Sequence, residues 1–167
     1  TNSAVLVVPT YGKNAIMGTN PISIAVPAGK ERPFVLDMAT STVARGKIGV
    51  FYEHGGKTMP ITWATDEFGN PTGDVERVEA NLLDKKGGGL LPLGGAEEEG
   101  GGHKGYGLAL AVDIFSGVLS GSAFGPNLYS KKDVPAKVSH FFGAIKIDAF
   151  IKPAVFKSIM DEYINTL

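Results

Sequence analysis

The run from Tyr106 to Leu119 constrains this chain more than any other stretch, because it is apolar on nearly every face, with Asp113 and Ser116 the main exceptions. A helix of that composition has to be covered on several sides, so it is expected to be the hub of a core. It is entered through Gly100-Gly-Gly-His-Lys-Gly105, a glycine loop that carries His103 and Lys104. Consecutive glycines let backbone approach a ligand, a helix start offers unpaired N–H groups and the positive dipole end, and a lysine adds a point charge. The junction therefore reads as an anion cradle into which a phosphate would fit. The alternative at this point is a flexible loop that caps a buried helix.

A chain of 167 residues is long enough for one compact domain with a real core. Its net charge of −1 gives no field for nucleic acid and no basic face for a membrane surface, so neither is expected as a partner. With no cysteine, disulfides and thiolate metal sites are excluded. Thr1-Asn2-Ser3 is no basic leader, and no apolar run approaches the roughly 18 residues that span a bilayer; a cytoplasmic location is the expectation. The chain opens without methionine almost directly on Ala4–Val8 and stops at Leu167 without a glycine cap or polar tail, which suggests a piece of something larger.

Three early runs, Ala4–Val8, Ile22–Val26 and Phe34–Met38, have the pattern of buried strands bounded by proline, glycine or charge. Thr40, Ser41 and Thr42 offer N-cap hydroxyls to a helix from about Val43 to Glu53, with Ala44, Ile48 and Phe51 or Tyr52 on its apolar side and His54-Gly55-Gly56 at its end. Ile61–Thr65 alternates like a half-buried strand, and Asp66–Pro71 supplies the turn after it. From Asp84 to Gly102 the chain is loop-like, with an acidic triplet Glu97-Glu98-Glu99 and one apolar island, Leu90–Leu93, that needs something to pack on. Gly121–Pro135 is a further loop, of a length that suggests surface function or a partner contact. Gly143–Asp148 alternates as a strand with Ile145 and Ile147 inward, and Pro153 takes the first position of a final helix. The expected class is α+β, with a largely antiparallel or mixed sheet flanked by helices.

Gly100-x-Gly102-x-x-Gly105 matches a dinucleotide fingerprint in form only: no strand leads into it, and the position about 20 residues on is Gly125 instead of an acid. Gly56-Lys57-Thr58 resembles the end of a phosphate loop but lacks the leading glycine, since Phe51 stands there. The three histidines, His54, His103 and His140, have no close ligand spacing, and no metal site is expected. His54 is expected to end a helix, His140 to lie at a strand edge, and His103 to sit in a loop built for ligand approach. Asp37 closes a strand just before Met38-Ala-Thr-Ser-Thr42 and a helix start, a convergence that ligands favour; capping alone is the alternative. Arg45 and Lys47 stand in that helix's first turns, where positive charge opposes the dipole, so an anion nearby would account for them; solvated surface charge is the alternative.

Four ordered segments together resemble the malate/L-lactate dehydrogenase family that is distinct from the Rossmann-type lactate and malate dehydrogenases. They are Gly18-Thr-Asn-Pro-Ile22; Asp37-Met-Ala-Thr-Ser41 with Ala44-Arg-Gly-Lys-Ile48; Leu90-Leu-Pro-Leu-Gly-Gly95; and Gly102-His-Lys-Gly-Tyr-Gly-Leu108 with Gly117-Val-Leu-Ser-Gly121. The acidic loop and the stretch from about Thr72 to Gly89 carry no clear signal. The resemblance implies a non-Rossmann NAD(P)-binding domain inserted into a second domain, with a sheet of about seven strands, an ordinary sheet size. It implies that Asp37, Met38, Ala39, Thr40, Pro92, Leu93, His103 and Lys104 touch NAD or NADP, and that Thr19, Arg45 and Gly46 lie toward a substrate carboxylate. It places the family's catalytic histidine and companion arginine in a segment that precedes these residues, so no catalytic residue is assigned here. A homodimer is also implied.

Two functions from different classes follow. In the first, the chain is the cofactor-binding domain of an NAD(P)-dependent oxidoreductase that interconverts a 2-oxo acid, or a cyclic imino acid, and its reduced form, acting with the remainder of the same enzyme. In the second, it is a non-catalytic binding or assembly module whose glycine loops and apolar helix serve packing.

Overall fold

The computed structural model describes residues 1–129 and 135–167. The chain divides into two compact units, one made of Thr1–Pro21 with Ala39–Phe141, the other of Ile22–Met38 with Phe142–Leu167. Secondary structure is mixed, with α-helices alongside short antiparallel strand pairs. No helix among the described residues is long and apolar enough to cross a membrane.

In the larger unit, helix α1 (Arg45–Glu53) packs on α2 (Val75–Asp84), and strand β3 (Ala64–Thr65) pairs antiparallel with both β4 (Pro71–Thr72) and β5 (Gly89–Leu90). Val7, Ile48, Ala64, Val75, Val78, Leu90 and Ala109 form the centre of its core. Ala4–Val8 is not the regular strand its pattern suggests. Only Val7 bridges, antiparallel to Met17 and parallel to Leu90. Pro9 has no N–H to offer, and the turn closed by Gly12 N–H on the Pro9 carbonyl (2.8 Å) ends the pairing, although Val7 and Val8 are fully buried. Ile61–Thr65 likewise shortens to β3, because Trp63 N–H turns back to the Pro60 carbonyl (3.1 Å) and leaves Ile61 exposed.

Helix α1 starts at Arg45 with Ala44 as N-cap and no side-chain cap, two residues later than expected. The threonine and serine hydroxyls have other partners. Thr40 Oγ1 donates to the Thr19 (3.1 Å) and Asn20 (3.2 Å) carbonyls, Ser41 Oγ to Val43 (2.7 Å), and Thr42 Oγ1 to Leu91 (3.2 Å). Of the expected apolar side Ile48 is buried, whereas Ala44 and Tyr52 are exposed. The end at His54 is as expected, with Gly55 at a φ of 79°.

Helix α2 lies in the stretch that carried no clear signal. Asp74 caps it by accepting the Arg77 N–H (3.0 Å), and Lys85 closes it in a left-handed conformation (φ 55°). Its amphipathic spacing Val75, Val78, Leu82 turns into the core. A charge clamp joins α2 to the turn before β4. Arg77 donates to both oxygens of Glu67 (2.8 and 2.8 Å), and Asn81 Nδ2 adds a third bond (2.8 Å). The Arg77 guanidinium, followed by a backbone N–H and Asn81, pulls the Glu67 carboxyl down to about 2 from an ordinary 4.5. A carboxyl with a depressed folded-state pKa contributes stability above its unfolded value and loses it as pH falls through the folded one. The native protein is therefore expected to lose part of its stability between pH 4.5 and about 2, and Glu67→Gln to lack that component; parallel melting curves across this range check it.

The central helix runs as α3 (Gly102–Asp113) followed by a π-helical turn, Ile114–Val118. Two expectations are corrected. First, α3 begins at Gly102, so His103 and Lys104 belong to its first turn and not to a loop before it. Second, burial is inverted relative to polarity: Asp113 and Ser116 are buried, while Ile114, Phe115, Val118 and Leu119 are exposed. The inward face carries small residues, Gly105, Ala109 and Ser116, that allow close approach, together with Val112 and Asp113. Asp113 is accommodated because its carboxylate accepts Asn2 Nδ2 (3.0 Å) and Gly125 N–H (2.8 Å). The loop expected over Gly121–Pro135 contains a 3₁₀ turn, Gly125–Tyr129, and then passes outside the described residues.

In the smaller unit, β1 (Ile22–Val26) and β2 (Phe34–Met38) pair antiparallel from Ile22↔Met38 to Val26↔Phe34, as their patterns suggest. They are not buried strands, however; Ile24 and Val35 are exposed. The expected strand Gly143–Asp148 has no ladder among the described residues. It ends in a 3₁₀ turn, Ile147–Ala149, and Ile145 is 80% exposed instead of inward, so an alternating pattern without a pairing neighbour forms no strand. His140, expected at a strand edge, belongs to the larger unit and lies in irregular chain. Helix α4 (Pro153–Thr166) starts on proline as expected, half-buries Phe156, Met160 and Ile164, and exposes Val155, Ile159 and Tyr163. Its Asp161 carboxylate accepts the N–H groups of Gly29 (2.8 Å), Lys30 (2.9 Å) and Glu31 (3.1 Å) in the β1–β2 loop. The Lys30 amide, then that of Glu31, holds this carboxyl below its usual range.

Candidate functional site

In the larger unit three chain segments meet as a seam. Thr40 N–H donates to the Thr19 carbonyl (2.9 Å), Leu93 N–H to the Thr40 carbonyl (2.9 Å), and Thr42 N–H to the Leu91 carbonyl (2.9 Å), with Ser41 bridging Pro92. Leu90 and Leu91 anchor the apolar island in the core and Pro92 is buried, whereas Leu93 is 40% exposed beside them. The chain then turns through Gly94 (φ 99°) and Gly95 (φ 96°), a left-handed pair that residues with a side chain rarely adopt.

This turn lies directly on the first turn of α3. A Cβ at Gly94 would overlap Gly101, one at Gly102 would overlap the Gly95 carbonyl, and one at Gly105 would overlap the nitrogen and carbonyl oxygen of Leu93. Glycine is required here because backbone rests on backbone. The helix start is less open to an anion than its sequence suggests, because Gly102 N–H already donates to the Glu97 carbonyl (2.9 Å) and Lys104 N–H to that of Gly101 (2.9 Å). What remains for a ligand are the exposed side chains of His103 and Lys104. Lys104 forms no ion pair with Glu97, Glu98 or Glu99 among the described residues.

Thr19, Thr40, Pro92 and Leu93 thus share one hydrogen-bonded seam, and the α3 turn bearing His103 and Lys104 is pressed against it. Thr40 is fully buried, its hydroxyl spent on carbonyls, so it shapes the seam without offering a donor. Asp37 and Met38 close β2 in the smaller unit, just before Ala39 in the chain. Arg45 and Gly46 stand on α1. Arg45 reaches Glu79 of α2 (3.4 Å), Lys47 lies over the Trp63 ring (4.8 Å), and a Cβ at Gly46 would meet open space. Glu79 is therefore an anion that accounts for Arg45.

Two cavities lie elsewhere in this unit. One of about 770 Å³ is lined by Gly55, Lys57, Thr58 and Glu76, and one of about 610 Å³ by Arg45, Asn81, Lys85, Lys86 and Tyr129. The cations of the second have structural partners: Lys86 pairs with Asp84 (2.7 Å), Arg45 with Glu79, and both lysines follow the C-terminal end of α2, where positive charge is favoured. Among the described residues no three histidine, aspartate or glutamate side chains gather as metal ligands.

The seam brings apolar, backbone and charged groups together on one face of the larger unit. It presents a half-exposed leucine, the Gly94–Gly95 turn, and a lysine and a histidine that form no ion pair with a carboxylate among the described residues. One residue of consequence stands in the Gly18–Ile22 segment, where the sequence assigns it no role of its own. Asn20, fully buried, connects the seam to α3, and its signals were its place in the Gly18–Ile22 segment and the proline after it.

Comparison with known proteins gives concordant matches. The family model described as malate/L-lactate dehydrogenase matches residues 1–167. A malate dehydrogenase of Pyrococcus abyssi is 47% identical over 167 residues, which is 100% of this chain and 44% of that protein. An L-sulfolactate dehydrogenase of Methanothermobacter thermautotrophicus is 33% identical over 166 residues, covering 98% of this chain and 44% of that protein. In structure, the malate dehydrogenase of Entamoeba histolytica superposes with a TM-score of 0.90 at 33% identity, over 99% of this chain and 46% of the other. The chain spans less than half the length of these relatives.

Proposed function

The chain belongs to the malate/L-lactate dehydrogenase family, and from that premise we propose that it holds a nicotinamide dinucleotide, NAD or NADP, along the seam of Ala39–Thr40, Pro92–Leu93 and the first turn of α3. One observation carries the assignment: the Gly94–Gly95 turn rests on the α3 start with Leu93 half exposed and Lys104 beside it, exposed and in no ion pair among the described residues. The bound cofactor would supply or accept the hydride in interconverting a 2-hydroxy acid and its 2-oxo form. This chain's residues bind and orient. Lys104, with His103 next to it, meets phosphate or ribose oxygens; Leu93 covers an apolar ring face; the Thr40–Leu93 backbone pairing keeps the wall rigid. The two relatives named for malate and sulfolactate support a 2-hydroxy acid bearing a second acidic group as the substrate class. Proton exchange falls to a histidine outside these residues, in the remainder of a longer, homodimeric enzyme. The same remainder would extend β1, β2 and the 143–148 segment toward a sheet of about seven strands.

Amide hydrogen exchange of the whole protein with and without NADH or NADPH tests the assignment. Slower exchange is expected at Ala39–Thr42, Leu91–Gly95 and Gly102–Gly105. Protection confined to the cavity segments 55–58 and 73–76, or 83–88, would place the nucleotide elsewhere and overturn it.

A further inference from the structure

Asn20 is completely buried and has a φ of 36°, one of few non-glycine residues in the left-handed region. Pro21 after it disfavours the right-handed helical conformation at this position, and asparagine tolerates the left-handed one better than most residues. That backbone geometry sends its groups to three different segments. Its Nδ2 donates to the Ala109 carbonyl in α3 (2.9 Å), its Oδ1 accepts the Ser3 N–H (3.1 Å), its N–H donates to Ser3 Oγ (3.3 Å), and its carbonyl accepts Thr40 Oγ1 (3.2 Å). The amide orientation follows from its partners, since a carbonyl can only accept and an N–H can only donate.

Ala109 lies one turn beyond Gly105 on the inward face of α3. The helix is therefore pinned twice, by backbone contact between Gly105 and Leu93 and by the Asn20 amide at Ala109. Through Thr40 the same residue holds the opposite wall of the seam. All of its polar groups are engaged by protein partners, so it offers a ligand no donor or acceptor of its own. We propose that Asn20 is a positioning residue for the cofactor, fixing the rotation and axial setting of α3, and with it Lys104 and His103, relative to the Thr40–Leu93 wall. This rests on the cofactor assignment above.

The test compares nucleotide affinity in the whole protein with thermal stability. Asn20→Gly keeps the backbone angle and removes the amide; Asn20→Asp keeps the acceptor toward Ser3 and loses the donor toward Ala109, and serves if the glycine variant does not fold. Each is titrated with NADH and NADPH well below its melting temperature, alongside Lys104→Ala. Each Asn20 variant is expected to raise the dissociation constant about tenfold, the scale of one lost buried hydrogen bond. Lower melting temperature with native affinity in the Asn20 variants, while Lys104→Ala weakens binding, would make Asn20 a fold residue only and overturn the proposal while leaving the cofactor assignment intact. Native affinity in all three variants would overturn both.

Discussion

Gly105→Ala is expected to destabilise the protein by about 3 kcal/mol, at the upper end of what overpacking costs, because the added methyl would overlap the backbone of Leu93, which no rotamer change can relieve. Gly107 lies in the same helix two residues on, and a Cβ there meets nothing within 4 Å. Gly107→Ala should therefore show only the propensity gain of a helical glycine replaced by alanine, up to about 1 kcal/mol of added stability. Denaturant unfolding of the two variants side by side separates contact from propensity. Equal, stabilising effects in both would mean that α3 does not rest on the Leu93 turn. Because Gly105 also seats the start of α3, which carries Lys104, on the Leu93 turn, its alanine variant should bind nicotinamide nucleotide poorly even where it stays folded.

How far these features could be read from sequence depends on whether the deciding interaction is local. Strands β1 and β2, the end of α1 at His54-Gly55-Gly56, and the start of α4 at Pro153 are set by alternation, glycine and proline, and all stand where expected. Helix α2 is local too, with Asp74 as cap and apolar positions at 75, 78 and 82, but the glycines after it masked a legible signal. The hydroxyls of Thr40 and Thr42 could not have been placed this way, since their partners Thr19, Asn20 and Leu91 are remote in sequence, and Ser41 turns to the nearby Val43 carbonyl, a local bond that competes with capping. The inversion on α3 has the same origin. Hydrophobicity marked Ile114, Phe115 and Leu119 for the interior, yet close helix packing selected the small face and gave Asp113 buried partners in Asn2 and Gly125. The Gly143–Asp148 segment, which has no ladder among the described residues, shows that alternation needs a neighbouring strand to become structure. At the seam, glycine motifs and the Leu90–Leu93 island were legible because glycine marks close approach. The role of Asn20, which depends on three distant partners, was not.

Lys104 offers the sharpest test of the cofactor assignment. Its side chain is exposed on the first turn of α3, its stem passing Gly101, and it pairs with none of the three glutamates just before it. An exposed ion pair with one of them would in any case contribute only about 0–1 kcal/mol to stability. A lysine meeting a phosphate oxygen makes a charge-assisted hydrogen bond, so in the whole protein Lys104→Ala should weaken NADH or NADPH binding by about 1.5–3 kcal/mol, roughly tenfold to a hundredfold. Its melting temperature should stay within about one degree of native, as for other exposed substitutions remote from packing. Fluorescence titration and thermal unfolding of the same two protein samples decide the matter. A weakened affinity at unchanged stability is the predicted result. A variant that melts several degrees lower while binding nucleotide as tightly as the native protein would make Lys104 structural and contradict the assignment of the seam to the cofactor.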